Sequence, residues 1–304
     1  MKIYYTDRIA LPLPEGHQFP AEKYPLLLQQ LLEAGLTSSS ELRLSEPASN
    51  EQIQLVHHPD YVAKVINGNL TEKETRRIGF PWSPQLVERS RRSVGGTIAT
   101  CRAALEDGIS ANLGGGTHHA YPDHGEGYCV FNDVAIAARV MQAERSARRI
   151  VILDCDVHQG NGTAAIFVGD PTVFTFSIHG EKNFPFHKEQ SDMDIAMPDG
   201  SGDEIYLEAL QLGVQSAIDL ANADLAVYIA GADPFAGDRL GRLALTKAGL
   251  EERDRQVLNA CQGAGLPIAI VMGGGYARKV EDIIDIHLQT IRLAVDRTHD
   301  DHIQ

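Results

Sequence analysis

Apolar residues follow two rhythms along this chain, and the alternation between them predicts its architecture. Short aliphatic runs bounded by polar residues recur at Ser110–Leu113, Ile150–Leu153, Val173–Ile178, Leu225–Ala230 and Ile268–Met272. The run Ile150, Val151, Ile152, Leu153 is too short for a helix and is flanked by charge, which reads as a strand buried on both faces of a parallel sheet. Met1–Thr6 alternates enough to be a first strand, and Leu42–Leu44 makes a short one. Between the runs, apolar positions recur every three or four residues. Helices are predicted over Tyr24–Ala34, from Asn50, from Ser83 to Glu106, and near Val130–Glu144, Asp203–Asn222 and Thr246–Ala264. Leu207, Leu210, Val214, Ile218 and Ala221 share one face, as do Val280, Ile284, Leu288, Ile291 and Val295 of a last helix. Ser83 and Pro84 form a good cap and first turn, and Gly95 and Gly96 read as a place of close helix packing. The stretch TEKETRRIGFPWSP is charged, then aromatic, and reads as a loop whose Phe80 and Trp82 pack or line a rim. The tail THDDHIQ, residues 298–304, reads as a frayed end, with His299 and His302 solvated. No repeat or low-complexity linker interrupts the pattern. The expectation is a single α/β domain over residues 1–304, a doubly wound, mostly parallel sheet with helices on both faces.

Composition narrows the class of protein. A hydrophobic content of 43% with 22% charged residues suits a soluble protein with a substantial core. With 27 Lys and Arg against 41 Asp and Glu, the formal charge is −14, which argues against direct nucleic-acid binding and weakly favours cationic substrates. Cys101, Cys129, Cys155 and Cys261 lack a CxxC spacing and suit a reducing compartment. The start, MKIYYTDRIALPLPEG, has no signal-peptide core, and no apolar run is long enough to span a bilayer. A cytoplasmic protein without membrane insertion is expected. Oligomeric state is not legible.

The candidate chemistry lies where the strands end. After Leu153 the chain reads DCDVHQGNGT. In extended chain Asp156 and His158 would point to one side and grip one metal ion, with Asp154 acting behind them. GGGTHHA follows Leu113 and brings His118 and His119; Ser177 and His179 close the Val173 run; AGADPFAGDRLG brings Asp233; GGGY brings Tyr276. Any one ending is compatible with a polar turn, but five together are hard to explain as turns, because ligands of open α/β sheets sit at the carboxyl ends of strands. Asp156, His158 and Asp233 form an O, N, O donor set that leaves positions open for water and substrate. Two adjacent histidines can act as proton-transfer groups beside such a water, with Asp154 orienting one of them, and Tyr276 can donate to a developing oxyanion. Together they describe amide hydrolysis. A phosphate-binding reading of the glycine runs fails because neither has GxGxxG spacing or a GK[ST] ending. His57 and His58 precede Pro59, cannot both face one ion from a regular helix, and read as surface or packing residues.

GGGTHHAYPDHGEGYCVFNDVAIAA, DCDVHQGNGT, SIHGEKNFPF, GADPFAGDRLG and MGGGY resemble, in order, the motifs of the zinc-dependent histone deacetylase family, which has the arginase/deacetylase fold. The resemblance runs from about Tyr4 to the final helix. GHQFPAEKY, GFPWSP and KNFPF further resemble the class IV branch and its bacterial relatives. It implies removal of an acetyl or longer acyl group from an N-acyl-lysine of a protein or peptide, or from a small acylated amine. It implies one catalytic Zn2+, with Fe2+ as the alternative, on Asp156, His158 and Asp233. His119 would be the principal base, His118 more electrostatic and oriented by Asp154. Asn161 stands where class I members place an aspartate behind the second histidine. Tyr276 matches the transition-state tyrosine, and Gly127 with Tyr128 the wall of an acyl-lysine tunnel. A second aromatic wall falls within Asn183–Phe186. A structural K+ or Na+ would draw on Asp154, backbone around Asp156 and His158, and Ser177. The rim aspartate of several members has no match. A two-manganese ureohydrolase of the same fold would need further carboxylates, but Gly160 and Pro234 stand at the relevant places. A non-catalytic acyl-lysine-binding protein would be expected to lack Tyr276 or one of the tandem histidines, and both are present.

Overall fold

The computed structural model describes residues 1–6, 11–38 and 40–300, the last two by backbone alone. Its centre is one eight-stranded sheet in which every pairing is parallel. The strands are β1 Ile3–Tyr5, β2 Leu42–Leu44, β3 Ile109–Asn112, β4 Ile150–Asp154, β5 Val173–Gly180, β6 Met193–Met197, β7 Leu225–Ile229 and β8 Ile268–Val271. Their order across the sheet is β2-β1-β3-β8-β7-β4-β5-β6.

The continuous apolar runs follow from this burial. Along β4, Val151 and Leu153 enter one core while Ile150 and Ile152 enter the other; in β7, Ala226 and Tyr228 oppose Leu225, Val227 and Ile229 in the same way. The first core is closed by α1 Lys23–Glu33, α8 Asp203–Ala221, α9 Lys247–Gly263 and α10 Val280–Asp300. The second is closed by α3 Pro59–Asn67, α5 Pro84–Asp107, α6 Asp133–Ala143 and α7 Asn161–Phe167, with the single turn α2 Asn50–Ile53 beside them. Truncating a fully buried branched residue such as Ile152 to Ala would cost about 2–5 kcal/mol.

α5 begins as its sequence dictates: Ser83 Oγ accepts from the Leu86 amide at 3.1 Å, with Pro84 in the first turn. A Cβ on Gly95 would lie 1.8 Å from the Glu46 carbonyl oxygen, so the chain after β2 passes directly over this helix. Several elements depart from expectation. Thr71–Ile78 is not loop: α4 Glu72–Ile78 forms there, held by a reciprocal capping box between Thr71 and Glu74 and ended by the left-handed Gly79. The short edge strand β6 was absent from the sequence reading, because its alternating, half-exposed residues make no apolar run. α6 starts at Asp133, not Val130, with Asn132 as its cap. The tail expected to fray from residue 298 is helical through Asp300; residues 301–304, His302 among them, lie outside the described residues.

β3, β8, β7 and β4 are the four central strands, and their carboxyl ends open on one side of the sheet. The loops that carry the candidate residues leave from there.

Candidate active site

Asp156, His158 and Asp233 are all buried, and one donor atom from each lies within 4.8 Å of the others. The strand ends at Asp154, so alternation in extended chain is not what gathers Asp156 and His158. Instead, the Asp154 carboxylate accepts the Asp156 amide at 3.1 Å, and the Asp156 carboxylate accepts the His158 amide at 3.0 Å. These successive aspartate turns curl the loop inward. The other Asp156 oxygen accepts the Gly274 amide at 2.7 Å, and Asp233 Oδ1 accepts the Val157 amide at 2.9 Å. Asp233 Oδ2 is buried without a hydrogen-bond donor; His158 Nδ1 lies 3.2 Å from it but is not aligned as one. Burial, then the nearby Asp156 charge, push the Asp233 carboxyl up to about 7. Burial opposes the charged form of His158, yet its two carboxylate neighbours push it up to about 10. A buried carboxylate oxygen with no donor, beside a second carboxylate and a ring nitrogen, is costly unless a cation joins it. The residues therefore fit a divalent ion. Glycines make the space: a Cβ on Gly274 would lie 2.0 Å from Asp233 Oδ2, and one on Gly231 2.6 Å from Asp156 Oδ2.

Beside this group stand two histidine pairs. His118 Nδ1 is 2.6 Å from Asp154 Oδ2, His119 Nδ1 is 2.7 Å from Asn161 Oδ1, and the two Nε2 atoms are 3.1 Å apart. An amide oxygen only accepts, so His119 Nδ1 carries hydrogen and its Nε2 keeps a lone pair. Burial opposes a charge on His118, but Asp154 and Asp156 outweigh it and push His118 up to about 9. Burial, then the adjacent His118 and His158, hold His119 well below the ordinary histidine range. The two rings are thus pushed apart, His118 toward the charged form and His119 toward the neutral one, with Asp154 on one side and Asn161 on the other.

Tyr276 faces the same point. Its amide donates to Asp238 Oδ2 at 2.6 Å, and Arg239 Nε donates to its carbonyl at 2.9 Å. Its ring packs among those of Phe19, Tyr128 and His158. Burial raises its hydroxyl well above the usual range, so it remains a neutral donor. Lys23, buried on α1, places Nζ 5.5 Å from the Tyr276 ring centre.

A pocket of about 570 Å3 leads from the surface to His119, His158 and Tyr276. Gly127 and Tyr128 line it, and Phe184 forms the opposite wall, 4.9 Å from the His119 ring centre and edge-on. A Cβ on Gly127 (φ +55°) would lie 2.7 Å from His119 Cδ2 and 3.1 Å from Phe184 Cε1. Beyond the floor, a cavity of about 50 Å3 is lined by the two glycine runs and Tyr276. Ser177 sits in register with Asp154, but its hydroxyl pairs with buried His179, which does not line the pocket. His57 is a core residue whose Nε2 accepts the Asn132 amide, and His58 is exposed.

Sequence reasoning passed over three supports. Asp238 and Arg239, in the GDRLG that follows Asp233, anchor Tyr276 through its backbone. Arg253, fully buried on α9 and paired with Asp254, donates to the carbonyls of Cys155 and Gly231, one from each strand end that carries the candidate metal group. Its signal was an Arg-Asp pair on the buried face of a predicted helix.

A histone deacetylase domain matches residues 17–291. An uncharacterised protein of Picosynechococcus is 47% identical over 294 residues, covering 97% of this chain and 98% of that one. The histone deacetylase-like amidohydrolase of Pseudomonas aeruginosa is 29% identical, over 88% of this chain and 74% of its own. The crystal structure of the HDA15 HD domain superposes with a TM-score of 0.82 at 22% identity, covering 97% of this chain and 88% of that one, a likeness of fold. Since the domain match spans most of its length, this chain belongs to the histone deacetylase family.

Proposed function

We propose that the chain is a metal-dependent deacylase that removes a short acyl group, acetyl first among them, from the side-chain amine of an acylated lysine. Family membership already supports a deacetylase or amidohydrolase in general. The observation that carries the finer reading is the meeting of the Asp156–His158–Asp233 group, the two histidine pairs and Tyr276 at the floor of one aromatic-walled pocket. Among the described residues this is the one three-residue group able to hold a metal, which favours a mononuclear site over a two-manganese ureohydrolase.

Zn2+ suits the O, N, O set, with Fe2+ as the alternative; the ion would act as a Lewis acid that polarises the amide carbonyl and makes water nucleophilic at neutral pH. His119 Nε2, neutral and oriented by Asn161, takes the proton of the attacking water and returns it to the leaving amine. His118, held as a cation by Asp154, stabilises negative charge developing beside it. The Tyr276 hydroxyl donates to the oxyanion from a backbone fixed at both its amide and its carbonyl. Gly127 leaves the gap through which a slim methylene stem passes, with Tyr128 and Phe184 packing on it. The small cavity beyond the floor suits an acetyl-sized group and not a long chain. Asp154 and Ser177, adjacent across β4 and β5, would contribute to a structural K+ or Na+ site. No helix of the described residues is long and apolar enough to cross a membrane, in keeping with substrates met in water. The test is a screen of the metal-loaded protein against acyl-lysine peptides of graded chain length and acetylpolyamines. Turnover falling steeply beyond the shortest acyl groups supports the reading; a preference for long chains refutes the acyl-length part, and no amide hydrolysis refutes the whole.

A further inference from the structure

The mouth of the pocket carries a charge opposite to that of the protein. Acidic residues outnumber basic ones 41 to 27 in the chain, yet the lining of the mouth holds Arg76, Arg77, Lys182 and Arg242 against one carboxylate, Glu126. The four cations come from three separate segments: the last turn of α4, the loop after β5, and the loop after β7. All four are exposed. Arg242 pairs with Asp199 at 3.2 Å, whereas Arg76, Arg77 and Lys182 have no carboxylate within ion-pair distance among the described residues. Basic residues in the last turn of a helix complement its dipole, which accounts for Arg76 and Arg77 alone. It does not account for Lys182 and Arg242, which reach the same opening from other loops. A concave, low-dielectric opening lined by one sign of charge focuses its field on what enters.

We infer that this rim is an anion-recognising subsite, and that the preferred substrate is an acyl-lysine flanked by aspartate or glutamate. The inference rests on the deacylase reading, because the acylated lysine places its neighbouring residues at the mouth. When the stem is seated between Tyr128 and Phe184, residues one or two positions away in the peptide emerge among the four cations. Carboxylates there gain three cations that have no partner of their own. Lysine or arginine flanks, and the remaining ammonium groups of an acetylated polyamine, meet like charge at the same place, and like charges across an interface suppress wrong partners. The net charge of the chain favours cationic partners at long range, but the mouth reverses that preference at contact.

The experiment uses three matched acetyl-lysine peptides with acidic, neutral or basic flanks, and acetylspermidine. Binding is measured by fluorescence anisotropy to metal-loaded Tyr276→Phe protein, and kcat/KM is measured with the wild type. The acidic peptide should bind and turn over about tenfold better than the basic one at low salt, and the gap should narrow as salt shortens the screening length. In the double variant Arg76→Glu/Arg77→Glu, and separately in Lys182→Glu, the acidic-to-basic ratio should fall. Equal or stronger binding of the basic peptide, or a ratio unmoved by both variants, overturns the subsite. Preferential binding of the acidic peptide without hydrolysis by the wild type leaves the subsite standing and overturns the deacylase reading instead.

Discussion

Replacing Tyr276 by phenylalanine separates chemistry from architecture more cleanly than any other change in this pocket. Among the described residues its hydroxyl makes no hydrogen bond, while the residue is held by Asp238 on its amide, Arg239 on its carbonyl, and the rings of Phe19, Tyr128 and His158. Phenylalanine keeps every one of these contacts, so folding stability should change by less than about 1 kcal/mol. The candidate metal group Asp156, His158 and Asp233 and the Asn161–His119 pair are untouched. An oxyanion donor acts chiefly in the transition state and contributes about 2.7–4 kcal/mol, so kcat should fall about 100- to 1000-fold with KM nearly constant. Steady-state kinetics with an acetyl-lysine peptide, alongside thermal melting and metal analysis, resolves the two effects. A variant with wild-type kcat would make Tyr276 a packing residue at a strand end and refute the proposed mechanism. A variant that also loses its metal or its fold would show that the backbone anchors are insufficient.

Gly127→Leu should reduce kcat/KM by about 100-fold or more while leaving the metal bound, since its first side-chain carbon already falls 2.7 Å from His119 and its backbone lies at φ +55°; unchanged turnover would mean the stem runs elsewhere. Asp233→Asn keeps the acceptor for the Val157 amide but removes a buried charge, so metal-free protein should melt no lower than wild type. The same variant should lose the metal-induced stabilisation, about 2.7 kcal/mol for wild type at a hundredfold excess of ion over Kd and read as a rise in Tm, and a retained rise would remove Asp233 from the ligand set. Burial lowers His57 from 6.5 to about 4, so the unfolded chain binds its proton first as pH falls. Stability should therefore decline from pH 6.5 to about 4, by on the order of 3 kcal/mol from this residue, and His57→Gln should flatten that slope in acid denaturation; an unaltered slope would refute the assignment.

The parallel strands were legible because strands buried on both faces need unbroken apolar runs, and the candidate site residues because they follow those runs directly. α4 was hidden for a complementary reason: Glu72, Lys73, Glu74, Arg76 and Arg77 make no apolar stripe, and the helix rests on its Thr71–Glu74 cap and Gly79. Spacing brings Asp156 and His158 together, as they are in the structure, but by a different local geometry from the one read, since aspartate turns and not extended chain join them. Phe184 could not be singled out within its segment because three apolar residues follow Asn183, and only packing against His119 distinguishes one. The rim cations lie more than 160 residues apart at their extremes (76 and 242), so no spacing along the chain joins them.

The strand order has a consequence for how this chain is made. β8 is the last strand in sequence, yet it lies between β3 and β7. Without it the ladder falls into two pieces, β2-β1-β3 and β7-β4-β5-β6. The first carries the histidine loop and the second carries all three acidic and imidazole donors. A ribosome emitting the chain from its amino terminus therefore releases two half-sheets that share no backbone hydrogen bonds until residues 268–271 slide in as the keystone. Tyr276 follows that strand by only a few residues. The strand that joins the halves also delivers the hydroxyl, and a nascent chain has no complete pocket until both have emerged.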